Sequence, residues 1–306
     1  MGTGHGHGHG GHSATSDRRR LVVALVVTIL CAVLGAVGTV LTGSLALLAD
    51  LGHLLTDAGA LVGAVIAAAV ATRPVSARRT FGLGRVEVLV AGINAAALIA
   101  VVVWVAVEGV SRLFEPTEIP GLPLLVIGGV GLVGNVVSLL VLAGGDRGNM
   151  NMRGAMLHVL GDALGSVGVM AAALVLLTTG WPYADTVASL FIAVLILPRA
   201  VTLLREVWHV LLEGAPAGIE VAAVRDTLLG VPGVQEVHDL HVWAINDRTP
   251  SMSAHLVVDE WTVDATDCGA TVLDRAGAAL RERFGLTHST LQVERHAHVG
   301  HEHTCD

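Results

Sequence analysis

Two five-residue stretches carry residues that could bind a metal ion: His53-Leu54-Leu55-Thr56-Asp57 and His158-Val159-Leu160-Gly161-Asp162. Each sets a histidine and an aspartate four residues apart. At about 100° per residue, positions i and i+4 fall roughly 40° apart on one helix face. Two such helices facing each other would present two imidazoles and two carboxylates, a donor set suited to a tetrahedral zinc ion. Both stretches lie inside long apolar segments. An ionisable group in a bilayer costs about 2.5–3.5 kcal/mol on insertion scales, so its presence there points to function. A polar contact between packed helices explains one such pair; two identical pairs call for a common site.

The elements that must position these residues are read from the hydropathy pattern. The 306-residue chain is 53% hydrophobic and only 14% charged, which excludes an ordinary soluble protein and indicates an integral membrane one. Residues 21–212 are apolar with sparse charge, and residues 213–306 have the composition of a soluble domain. Arg18-Arg19-Arg20 before Leu21–Leu41 resembles a secretory signal, but the 21-residue run is too long for one and no small-residue cleavage site follows. It reads as the first of six membrane-spanning helices. The others are expected over 45–71, 86–111, 124–143, 154–179 and 183–204, the last bent by Pro198 and carrying Arg199 and Arg205 near its inner end.

Arginine placement gives the orientation. The N-terminal segment, the 2–3 and 4–5 connections and the end of the sixth helix hold almost all of the loop arginines, whereas the 1–2, 3–4 and 5–6 connections together hold only Arg112. Both termini are therefore expected in the cytoplasm. On this reading His53 lies roughly 13 Å from the outer end of helix two and Asp162 roughly 12 Å from the inner end of helix five. In a core about 30 Å thick both pairs approach the midplane, although their helices run in opposite directions. That agreement joins them into one site. Asp50, three residues before His53, shares its face, either as a neighbouring or proton-relaying group or as a carboxylate near the outer interface.

The soluble part reads as α-β-β-α-β, a small α+β domain over 213–295. Alternation puts His238 and His241 on opposite faces of the first strand, and His288 and Glu294 on the same face of the last. A second metal set of His238, His255, His288 and Glu294 is compatible with this pattern without being forced by it. The flanks are histidine-rich: residues 1–17 alternate glycine with histidine and should hold neither helix nor strand, and the tail 296–306 offers further donors for loose metal capture. Cys31, Cys268 and Cys305 are too scattered for a disulfide framework or a CxxC site. A net charge of −8 argues against nucleic acid as a partner. A membrane metalloprotease would want HExxH, but Leu54 follows His53 and Val159 follows His158. A metal sensor or storage protein would have no use for ionisable ligands at the bilayer midplane.

The motifs together resemble the cation diffusion facilitator family, in its zinc-transporting bacterial and vesicular members. The resemblance rests on Gly43–Asp50 leading into His53 and Asp57, on Arg79-Thr80-Phe81-Gly82 through Arg85 and Glu87, and on Asn149–Asp162. It continues in His238-Asp239-Leu240-His241-Val242-Trp243 and His288–Glu294, so that it spans roughly 20–295. It implies a six-helix homodimer with a metallochaperone-like cytoplasmic domain, located in a bacterial-type cell membrane and exporting divalent cations in exchange for protons. Zinc is the implied ion, with cobalt or cadmium as alternates. The family's transport site falls on His53, Asp57, His158 and Asp162, and its cytoplasmic site on His238, His255, His288 and Glu294. Two departures stand out. The 4–5 connection lacks the long histidine-rich insertion of many relatives, and the 2–3 connection has no His, Asp or Cys, so no metal site is carried over there.

Overall fold

The structure, a computed structural model, describes residues 10–71, 76–145, 150–246, 249–259 and 270–299. Six long helices come first: α1 (Gly10–Thr42), α2 (Leu45–Ala71), α3 (Arg85–Phe114), α4 (Gly121–Ala143), α5 (Met150–Thr179) and α6 (Ala184–Leu211). Among the described residues, Arg19–Thr42 of α1, α3, α4, Gly154–Thr179 of α5 and α6 are long and apolar enough to cross a membrane. The 27-residue α2 is the sixth helix of that length and carries Asp50, His53 and Asp57 in its first half.

Two boundaries differ from the sequence reading. Helix α1 begins at Gly10, inside the stretch expected to hold no helix, because adding residues to an existing helix avoids the cost of nucleation. Helix α6 runs seven residues beyond the expected Leu204, through Arg-Glu-Val-Trp-His-Val-Leu, with Pro198 inside it. No breaker stands in that stretch, and the chain leaves the helix only before Gly214-Ala215-Pro216. Arg199 is consequently twelve residues from the helix end, about 18 Å, and not near it. Residues 1–9 and 300–306 of the histidine-rich flanks lie outside the described residues.

The chain divides into two compact units, one of Met1–Val62 and Ile93–Thr202, the other of Gly63–Gly92 and Leu203–Asp306. In the first, Ala46, Leu47, Ala49, Leu98, Val105, Leu124, Ile127, Val169, Ala173 and Ile192 form an apolar core beside the N-terminal half of α2. Small residues let the helices approach: a Cβ at Gly128 of α4 would stand 2.9 Å from Val169 of α5, and one at Gly134 would stand 2.6 Å from Cys31 of α1. The large side chains left exposed on α1, α3 and α4, Leu30, Ile93 and Val133 among them, are the lipid-facing surface such a bundle needs.

The start of α2 is clasped by α6. Gly43, with φ +66°, makes the tight link from α1 that a side chain would strain. Ser44 Oγ then donates to Asp185 Oδ1 at 2.5 Å, and the Leu45 N–H donates to Asp185 Oδ2 at 2.8 Å. Arg112 of α3 donates to the Gly43 carbonyl at 2.9 Å. Asp185, 1% exposed, thus acts as an N-cap supplied from another helix, satisfying a first-turn amide that has no partner within α2.

In the second unit, α7 (Val221–Leu229), β1 (Val234–Ala244), β2 (Pro250–Val258), α8 (Ala270–Phe284), β3 (His288–Arg295) and a single turn α9 (His296–Val299) follow in order. The αββαβ expectation holds, with α9 added where a flexible tail is expected. The sheet order is β1-β2-β3, with β1 antiparallel and β3 parallel to β2. Val224, Leu228, Val237, Met252, Leu256, Ala276 and Leu280 fill the core between sheet and helices. A bulge interrupts β1 between His238 and His241, and Asp239 takes φ 48° there, a conformation that aspartate tolerates better than most residues.

Candidate metal centres

Helices α2 and α5 bring all four residues of the two His-x-x-x-Asp pairs together. His53 Nε2 stands 3.5 Å from Asp57 Oδ2 and 3.5 Å from Asp162 Oδ1. His158 Nδ1 stands 3.1 Å from Asp57 Oδ2, and its Nε2 stands 3.6 Å from Asp162 Oδ2. The two rings meet edge to face at 5.6 Å. His53, His158 and Asp162 form the mutually closest trio, with one donor atom of each within 4.8 Å of the others. Asp57 lies outside that trio but touches both imidazoles. Donors 2.0–2.1 Å from a tetrahedral zinc ion are about 3.3 Å apart along each edge; the three contacts that use one donor atom per residue, at 3.1, 3.5 and 3.5 Å, bracket that length, and the His158–Asp162 contact uses the other imidazole nitrogen.

The polarity of this cluster is not used internally. His53 Nδ1, Asp57 Oδ2 and both carboxylate oxygens of Asp162 are buried without a hydrogen-bond partner among the described residues. Asp162 is 1% exposed and His53 8%. Leaving such groups unpaired costs about 1–3 kcal/mol each, which a bound cation would offset. Asp50 stands on the same face of α2, one turn before His53. A Cβ at Gly165 of α5 would lie 2.7 Å from Asp50 Oδ1, so glycine at 165 leaves that carboxylate its place against α5. At the next residue of α5, Ser166 Oγ accepts from Asn135 of α4 at 3.1 Å.

Arg199 was not among the sequence-derived site residues. Its Nη1 is 3.4 Å from His158 Nδ1, and it lines a cavity of about 240 Å³ together with Asp50 and His53. The available signal was a lone charge inside Val194-Leu195-Ile196-Leu197-Pro198-Arg199-Ala200-Val201, which depth alone marks as functional.

In the soluble domain, His238, His255 and Glu294 form a second group with donor atoms within 4.8 Å of one another. His238 pairs across the sheet with His255, and Glu294 comes from β3 beside Val257. His238 Nε2 hydrogen-bonds Glu294 Oε1, His255 Nδ1 lies 3.9 Å from Glu294 Oε2, and Gln292 donates to Oε2 at 3.3 Å. The structure does not bring His288 to this group. Six residues at about 3.3 Å each separate it from Glu294 along β3, and its exposed ring packs on Phe81 at 5.4 Å. Sharing a strand face is therefore not enough to share a metal. Asp239 does approach, at 3.9 Å from His255 Nε2 and 3.0 Å from His241 Nε2. The bulge that turns it there breaks the alternation from which the strand faces are read.

Two family profiles match most of the chain: "Cation efflux transmembrane domain" over residues 21–212 and "Cation efflux protein, cytoplasmic domain" over 216–296. Among similar proteins, the metal cation efflux system protein CzcD of Cupriavidus metallidurans is 38% identical over 294 residues, covering 96% of this chain and 90% of that one. A cadmium, cobalt and zinc/H(+)-K(+) antiporter of Bacillus subtilis is 37% identical over 290 residues, covering 94% and 92%. The zinc transporter ZitB of Escherichia coli is 38% identical over 292 residues, covering 92% and 91%. A solved metal-bound C-terminal domain of the CzcD transporter is 33% identical and covers 25% of this chain and 99% of its own, with a TM-score of 0.22.

Proposed function

The chain belongs to the cation efflux, or cation diffusion facilitator, family, and from that premise we propose that it exports Zn2+ from the cytoplasm in exchange for protons. One observation carries the choice of ion: two imidazoles and two carboxylates gathered at contacts of 3.1–3.6 Å, with buried oxygens that find no hydrogen-bond partner among the described residues. His53, Asp57, His158 and Asp162 are the transport ligands in this reading. Borderline nitrogen and hard oxygen donors suit zinc and leave cobalt and cadmium as secondary substrates. The relatives named for zinc, cadmium and cobalt support the same set.

The ligands bind metal only when deprotonated, so metal and protons compete for the same lone pairs. Metal enters the site from the cytoplasm. Tilting of α2 and α5 against their neighbours opens it to the other side, where protons replace the ion. Binding must remain weak enough to release it. The protein acts as a homodimer in a bacterial cell membrane with both termini in the cytoplasm. The test is zinc uptake into everted vesicles under an imposed pH gradient, run across zinc, cobalt and cadmium. Uptake that collapses the gradient is expected, greatest with zinc; zinc uptake indifferent to the gradient would refute the exchange.

His238, His255 and Glu294 form a regulatory site on this reading. His255→Ala in the full chain should lower the zinc retained per protomer after gel filtration by about one ion, counting one ion per four-coordinate site. Vesicle transport should persist. Loss of transport together with the bound ion would assign the soluble site a direct part in the transfer.

A further inference from the structure

We propose that Arg199 is a built-in counter-cation of the transport site, which weakens metal binding and so speeds release. The inference rests on the transport reading above. Arg199 lies fifteen residues into α6, about 22 Å from Ala184, and twelve residues from Leu211. From there a guanidinium cannot snorkel to either helix end, since its own reach is far shorter. It is instead directed into the cavity shared by Asp50 and His53, with Nη1 3.4 Å from His158 Nδ1.

Arginine is a donor only and keeps its charge at every physiological pH. The same His158 Nδ1 stands 3.1 Å from Asp57 Oδ2, so the guanidinium and that carboxylate converge on one imidazole nitrogen. A neutral imidazole has a single lone pair to give, so the guanidinium at Nδ1 competes with a metal ion for His158. It also brings a permanent positive charge beside a cluster that holds two carboxylates. A divalent ion entering the site meets that charge at short range, and one leaving is replaced by it in part. A site built only for tight binding would exclude such a group. A site that must load and unload in each cycle gains from it.

The experiment measures initial zinc transport rates in proteoliposomes at a fixed pH gradient for the parental protein, Arg199→Gln and Arg199→Lys. Arg199 is exposed, so neither replacement opens a packing void. Arg199→Gln keeps a donor and loses the charge. It should lower KM for zinc by about tenfold, the scale of one nearby charge in a partly hydrated site, and lower kcat as release slows. Arg199→Lys keeps the charge and should hold both constants within about twofold of the parental protein on the same scale. An unchanged or raised KM in Arg199→Gln overturns the proposal, as does a Lys variant that behaves like the Gln variant. A parental protein that moves no zinc would instead refute the transport reading, whatever the variants do.

Discussion

Asp162→Asn should abolish zinc–proton exchange without unfolding the protein. The initial rate of vesicle transport should fall by more than about 100-fold. Loss of a group that only orients a metal ligand already costs 10–100-fold, and Asp162 touches both imidazoles itself. Stability should move the other way. The carboxylate is 1% exposed, and neither oxygen has a hydrogen-bond partner among the described residues. Replacing a buried carboxyl group that lacks hydrogen bonds with a neutral isostere removes a desolvation cost of about 1–3 kcal/mol. The melting temperature of the detergent-solubilised variant should therefore equal or exceed the parental value in the absence of metal. Loss of function joined to a gain in stability is the mark of a group kept for its chemistry. Exchange at the parental rate would remove Asp162 from the site, and transport lost together with the fold would make it structural.

Apparent zinc affinity at the proposed transport site should weaken as the solution is acidified. The sign follows from competition: the metal-bound form holds fewer protons than the free form, so added protons favour the free form. For each proton displaced, the apparent Kd rises by up to about tenfold per pH unit. Zinc titrations between pH 8 and pH 6 in a Glu294→Ala background, which disables the soluble site, would report the transport ligands alone. A limiting slope between one and two counts the protons exchanged per ion. A flat profile would separate metal binding from protonation and end the antiport mechanism.

Much of this arrangement can be read before any coordinates are seen, because it follows from periodicity and depth. Six long apolar segments fix six helices, and an i, i+4 spacing fixes which side chains share a face. Opposed helix directions with matching depth place His53 and Asp57 level with His158 and Asp162, and the contacts of 3.1–3.6 Å between them agree. Three features escape that logic. Arg199 looks peripheral as long as α6 is thought to stop at Leu204; seven more residues of helix move it into the span. His288 shares a strand face with Glu294, but alternation records direction and not distance along the strand. Asp239 depends on a bulge and a left-handed backbone turn, which a two-residue period cannot anticipate. In each case the missing information is a boundary or a break in regularity, to which local pattern is blind.

The clasp between Asp185 and the first residues of α2 gives this helix a fulcrum. Held at Ser44 and Leu45, α2 would swing as a stiff rod, with displacement growing with distance from the hold. His53 is nine residues along, about 13 Å at 1.5 Å per residue. A tilt of about 10° there carries its ring roughly 2 Å sideways, as far as a whole zinc–nitrogen bond is long. A lever stroke that small would dismantle the proposed coordination sphere while leaving the helix itself intact.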